Sequence, residues 1–380
     1  MTVRTFMGSI GLGGFFLLIG AGCSGPELRR GFKPKAPVFE RQWSIATRQR
    51  PNEAGERGVE YSNAVVFENT VIFGTSEAGL VALYPELGGA TRWALPIKGG
   101  VTNEIHLHGP FLYFGAADGQ FYCVNVETGQ VQWRYELKNP KISKPTFHGN
   151  KLFITTTDNA VLAFEATTGR NLWIYRRKIP EGATVHGASQ PWTDGAELLA
   201  GMSDGYLVVL DAVDGRVKSE KRLTNRTKFT DIDGSPVLNG QVFYVGSYDG
   251  ELYALKKGSL DILWKIEAGA GRSVVIDSGT LYVASSDRKV RAVDPASGKV
   301  LWSFEMDGGA PTQPIVTERW VIVGSSYQYL YALDRKTGEL QDRWNVGYGS
   351  GLSGNLLYDA KQKMLYLVSG AANLYTLRVR

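Results

Sequence analysis

Val242-Phe243-Tyr244-Val245 is an uninterrupted apolar run, and Leu252-Tyr253-Ala254-Leu255 is another, with Asp249-Gly250 between them. Short continuous apolar runs bounded by turn residues mark strands buried on both faces. Asp-Gly suits the tight hairpin turn, which needs positive φ. Ser235-Pro236-Val237-Leu238 predicts a strand before this pair, and Ile262-Leu263-Trp264-Lys265-Ile266 one after it. Residues 234–267 therefore predict a four-stranded antiparallel unit. The Asp-Gly turn recurs at Asp118-Gly119 and Asp204-Gly205.

The unit repeats along the chain. Ala163-Phe164-Glu165-Ala166-Thr167-Thr168-Gly169 leads to Trp173, Cys123 to Gly129 leads to Trp133, and Ala292 to Gly298 leads to Trp302. Ala332-Leu333-Asp334-Arg335-Lys336-Thr337-Gly338 leads to Trp344. Weaker copies run Val81 to Trp93, Ala254 to Trp264, and Val209 to Gly215, where Ser219 replaces Trp. Tryptophan-equivalent positions thus fall at 43, 93, 133, 173, 219, 264, 302 and 344, with a mean spacing near 43. That is the period of one propeller blade. The third-strand pattern occurs eight times, the last as Leu374-Tyr375-Thr376-Leu377, with no fourth strand after it. A spare strand, Arg41-Gln42-Trp43-Ser44-Ile45, stands at the other end. The prediction is an all-β, eight-bladed β-propeller over residues 41–380, closed by its N-terminal strand.

Composition agrees. Of 380 residues, 43% are hydrophobic and 21% charged, which excludes a mainly disordered chain. The 46 glycines and 9 tryptophans suit many turns and large inter-blade contacts. Net charge is only +5. The densest basic stretch, Lys218 to Lys228, is followed at once by Asp231 and Asp233, so it reads as a solvated loop or edge. No nucleic-acid partner is implied. The two cysteines, Cys23 and Cys123, form no redox or zinc pattern. Cys123 occupies the repeat's alanine position, which assigns it to packing.

Residues 1–22 have the layout of a secretory signal. Arg4 precedes an uncharged stretch whose heart is Phe15-Phe16-Leu17-Leu18-Ile19, followed by Gly20-Ala21-Gly22 and then Cys23. This resembles a bacterial lipobox, with Cys23 as the acylated residue and Gly20 departing from the usual leucine. Residues 23–40 then read as a lipidated cysteine and a tether. Fully extended, its 17 residues from Ser24 to Glu40 reach roughly 55 Å. Ser24 after the cysteine favours the outer membrane, by analogy with enterobacterial lipoproteins.

The Ala-x-Asp-x-x-Thr-Gly…Trp unit is similar to the tryptophan-docking repeat of the pyrroloquinoline-quinone propeller superfamily. That superfamily holds quinoprotein alcohol dehydrogenases and the non-enzymatic BamB family, lipoprotein subunits of the β-barrel assembly machinery. The chain resembles the BamB family over nearly its full length. Thr230-Asp231-Ile232-Asp233-Gly234-Ser235-Pro236-Val237 is similar to that family's Ser-Asp-Val-Asp-Thr-Thr-Pro-Val segment. Val185-His186-Gly187-Ala188-Ser189-Gln190-Pro191 is similar to its Leu-Arg-Gly-Glu-Ser-Ala-Pro segment, with His186 in place of Arg. The resemblance implies that Val185, His186, Asp231 and Asp233 contact POTRA domains of the BamA-type barrel subunit. It also implies a lipid-anchored protein at the outer membrane, facing the periplasm, that assists insertion of nascent outer-membrane proteins. His186 and Asp231 are 45 residues apart, about one blade, so both loops should lie side by side on one face.

Other chemistry is thin. His106 and His108 alternate along one strand and share a face, as the start of a zinc site would, but no third ligand is evident. A quinoprotein dehydrogenase needs oxygen ligands for Ca²⁺. It often carries a vicinal cysteine pair as well, and neither pattern is legible. Thr-Gly and Asp-Gly pairs precede no helix and so cradle no phosphate. The expectation is a scaffold with no catalytic residues, no metal and no cofactor. A generic envelope propeller with another partner is the alternative, because fold alone does not set function.

Overall fold

The computed structural model describes residues 32, 34, 36–46, 62–101, 103–137, 139, 141–179, 188–224, 226, 228–269, 273–352 and 354–380. The expected signal, Cys23, most of the tether, Val185 and His186 lie outside the described residues. Eight four-stranded antiparallel sheets follow one another. Blades 1 to 7 span 64–95, 106–136, 146–176, 192–222, 237–267, 275–305 and 315–345. Blade 8 joins 357–379 to the N-terminal strand Phe39–Ala46. That strand begins two residues before the predicted propeller start at 41.

Each blade's burial follows its sequence pattern. The second strand is apolar and buried on both faces, as in Val242–Gly246, where only Val242 is partly exposed. The fourth strand alternates, as in Ile262–Glu267, because its outer edge meets water. Hydrophobic clusters lie between blades rather than within them. One joins blades 1 and 2 through Ile72, Leu80, Leu112 and Phe114. The last joins blade 8 to blade 1 through Leu374, Val368, Val71 and Phe73, so the ring is closed.

The tryptophans dock each blade onto the next. Third and fourth strands are paired with a bulge just before the repeat position, for example between Ala163 and Phe164 opposite Trp173. Such a bulge re-aims the following side chain. The indole N–H groups of Trp93, Trp133, Trp264 and Trp302 donate to the carbonyls of Val126, Ala166, Pro295 and Arg335 in the next blade. The Thr-Gly glycine of that next blade lies under the ring. A Cβ on Gly338 would come within 2.6 Å of the Trp302 ring, and its φ of +74° is in any case a glycine conformation.

Two repeat positions carry no tryptophan. Ser219 takes the tryptophan place in blade 4, as predicted, paired with Val209. Opposite it Leu260, at φ +56°, takes the place of the docking glycine in blade 5, donating its N–H to the Lys256 carbonyl as Gly338 does to that of Asp334, and its buried side chain joins the cluster between blades 4 and 5. In blade 7 the register corrects the sequence reading. Ala332 pairs with Asp342, so Asp342 and not Trp344 occupies the repeat position. Trp344 lies two residues on and packs edge-to-face on Tyr375, with ring centroids 4.9 Å apart. The Asp342 carboxylate accepts the backbone N–H groups of Val38 at 2.7 Å and Phe39 at 3.0 Å. The closing strand is thus held by a carboxylate where other blades use an indole. Beside it, buried Arg343 pairs with Asp307 and lies 4.2 Å from the Tyr329 ring centroid.

Asp342→Ala would orphan two buried N–H groups at the closure. Each unsatisfied buried donor costs about 1–3 kcal/mol, so a loss of about 2–6 kcal/mol is expected. Asp342→Asn, which keeps an acceptor oxygen, should lose less. Urea unfolding of both variants checks this; equal midpoints for Asp342→Ala and wild type would contradict the latch.

Candidate functional site

The first strand of each blade lines the propeller axis. Segments before and within these strands, from blades 2 to 8, enclose a cavity of about 870 Å³. Its wall includes Glu104, His106, Lys144, Gln190, Asp233 and Asn355. Opposite charges are mixed there. Glu104 accepts the backbone N–H of Asn355 at 3.0 Å and its amide at 2.9 Å, bridging blades 2 and 8 at the axis.

The loop 228–236 carries the predicted aspartates and is fastened at several points. Thr230 Oγ1 donates to the Ser203 carbonyl at 3.0 Å, and the Ile232 N–H to that of Met202 at 3.1 Å. The Asp231 carbonyl accepts the Tyr248 N–H at 2.9 Å. Ile232 approaches blade 4 so closely that a Cβ on Gly201 would meet its carbonyl at 2.4 Å. Gly201 is therefore required by contact and not by turn geometry.

These fastenings divide the two aspartates. Asp231 is buried, with 1% of its surface exposed, and its backbone joins the loop to the Ser247-Tyr248 turn. Asp233 is partly exposed and lines the axial cavity. The expectation that the two matched segments lie side by side is met for their described parts. The Gln190 N–H donates to Ser235 Oγ at 2.9 Å, and Gln190 Nε2 to Thr146 Oγ1 at 3.1 Å. Gln190 thus links three adjacent blades at the rim, a role that its residue type alone does not signal. The 45-residue spacing of Gln190 and Ser235 could have found it.

The two histidines of the strand His106–His108 part company. The His108 ring stacks on Phe147, with centroids 3.7 Å apart. His106 is buried, and burial, then the positive charge of Lys144, lowers its pKa to about 3. Cys123 pairs across from Trp133 as the other blades' alanines do, and burial pushes its thiol up to about 11. Neither group is poised for acid–base or nucleophilic work near neutral pH.

A family profile described as "Outer membrane protein assembly factor BamB" matches residues 77–303 and 249–379. The outer membrane protein assembly factor BamB of Escherichia coli strain K12 is 27% identical over 369 residues, covering 88% of this chain and 91% of that protein. The BamB of Pseudomonas aeruginosa is 34% identical over 91 residues, 22% of this chain and 24% of that protein. The crystal structure of BamB from Moraxella catarrhalis matches with a TM-score of 0.74 at 20% identity, covering 90% of this chain and 100% of that one. Quinohemoprotein alcohol dehydrogenase from Comamonas testosteroni shares the fold, with a TM-score of 0.70 at 14% identity, covering 90% of this chain and 76% of that one.

His106 gives a pH test. An unfolded histidine takes up its proton near its ordinary pKa of 6.5, whereas the folded one does so only near 3. Between those values the unfolded state binds more protons, so stability falls as pH drops below about 6.5, by up to about 1.4 kcal/mol per unit. Above that range the group contributes nothing. Urea midpoints from pH 7 to pH 4 should fall less steeply in His106→Gln than in wild type, and parallel curves would refute the assignment.

Proposed function

The chain belongs to the family of the outer membrane protein assembly factor BamB, and on that premise we propose that it is a non-catalytic scaffold of the outer-membrane protein assembly complex. Acylated Cys23 anchors it to the outer membrane, with the propeller in the periplasm. One acyl chain binds a bilayer only marginally, whereas several hold it firmly. The rim shared by blades 4 and 5 binds POTRA domains of the BamA-type barrel subunit and so assists the insertion of nascent outer-membrane proteins.

The observation that supports this most is the fastening of the two family-like segments side by side through Gln190 and Ser235, at the mouth of the axial cavity. In this reading Asp233 contacts the partner's basic or N–H groups. Charge pairs at such an interface are worth about 1.5–7 kcal/mol. Buried Asp231 acts as a positioning residue that shapes the loop. Val185 supplies an apolar contact, and His186 stands where the family segment has Arg, so its charge at that point depends on pH. The likeness to quinohemoprotein dehydrogenases supports only a common architecture, because function resides in the site and not in the fold.

The tagged full-length protein, extracted gently from its host's outer membrane, should bring a POTRA-bearing barrel protein with it, identified by mass spectrometry. Asp233→Ala should reduce that recovery with the fold intact, and Asp231→Ala/Asp233→Ala should abolish it. Undiminished recovery with the double variant would sink the site, and no barrel protein with wild type would sink the function. Separately, Cys23→Ser should release the protein from the membrane fraction into the soluble periplasm. Retention of that variant on the membrane would disprove the lipid anchor.

A further inference from the structure

Between the fourth strand of blade 4 and the first of blade 5, Phe229 is the one aromatic residue in a polar, basic stretch. A lone phenylalanine in such a loop gains most by turning inward. The structure does the opposite. Thr230, Asp231 and Ile232 are buried at 7%, 1% and 2% exposure, while Phe229 stays 47% exposed. Beside it Tyr248 is 37% exposed, with ring centroids 6.2 Å apart.

The backbone holds Phe229 outward at a cost. Its φ is +54°, a conformation that bulky L-residues rarely adopt. Asn159, Arg288 and Ala372 also have positive φ, but they stand in the hairpin turns where other blades place Gly119, Gly205 or Gly250. Phe229 belongs to no such turn. The hydrogen bonds of Thr230, Ile232 and the Asp231 carbonyl over-determine the residues next to it, which is how strain persists in a native state.

The chain leading into Phe229 carries the exposed cations Arg222, Arg226 and Lys228, with Arg222 Nη2 donating to the Arg226 carbonyl at 3.3 Å. Asp233 is four residues further along the same loop. Aromatic residues bordered by arginine are the usual energetic centres of protein interfaces. We infer that Phe229 and Tyr248 form the apolar anchor of the partner-binding rim, and that they take an apolar patch with an acidic border on the barrel subunit's periplasmic domain. The inference rests on the function proposed above and names the chemistry of its contact. The presence of Asp233 beside the cations gives the rim mixed sign, which suits a protein surface.

The test measures binding of the purified full-length chain to the detergent-solubilised barrel protein, together with thermal unfolding. Phe229→Gly removes the ring and relieves the backbone. It should weaken binding about tenfold or more while raising the melting temperature, a combination that simple misfolding cannot produce. Tyr248→Ala should also weaken binding, and binding of wild type should decline as salt is raised. If both variants bind like wild type while Asp233→Ala weakens binding, the anchor is wrong and the proposed function stands. If wild type itself fails to bind, that function falls and the anchor with it. Specific binding to vesicles of anionic phospholipid, lost in Phe229→Gly, would overturn the inference in favour of a membrane contact.

Discussion

The docking of a tryptophan ring onto a glycine in the neighbouring blade is the interaction on which the ring depends. A tryptophan side chain buries roughly 150–250 Å², which at about 25 cal/mol per Å² outweighs the roughly 1 kcal/mol net of a hydrogen bond. That burial has to be aimed, and three local features aim it. A bulge turns the fourth strand, a glycine clears the space, and an indole N–H finds a carbonyl about one blade away. At Trp302 all three are present, with Gly338 under the ring and the Arg335 carbonyl at 3.0 Å. Because the same small geometry recurs, each blade fixes the position of the next, and the axial cavity is what remains when the circuit closes.

The departures from this rule are informative. At Ser219 the missing ring is made up by a neighbouring leucine, so hydrophobic volume there is exchangeable. At Asp342 the substitute is polar, because what must be held is a free strand end with unsatisfied N–H groups and not a packed turn. A carboxylate with two acceptor oxygens meets that demand better than an indole, which can only donate.

Most of the fold was legible because the repeat carries it eight times over. Blade number, closure by the N-terminal strand, the serine in blade 4 and the packing role of Cys123 all follow from aligned patterns. Trp344 misled because residue type was weighed above register. Counted from Gly338 as the other blades are counted from their glycines, the repeat position is Asp342, while Trp344 returns to the same face two residues later. The rim was legible in location and not in burial. An aspartate reads as exposed and a phenylalanine as buried, yet Asp231 is inside and Phe229 outside. Bonds to Ser203, Met202 and Tyr248 decide this, and all three lie in hairpin turns that the loop's own sequence does not mention.

The closing strand has a consequence for how the molecule comes into being. Phe39 pairs with Val379, and Glu40 with Arg378. Glu40 also meets the Arg380 side chain, across a separation of 340 residues. Joining ends so far apart costs about 5 kcal/mol in chain entropy before any contact repays it. As the chain folds, the N-terminal strand therefore waits, unpaired, for the last. Until then it offers its backbone edge to any other strand, its own kind included. A propeller closed this way is committed late and all at once, and its nascent form depends on being kept from pairing elsewhere.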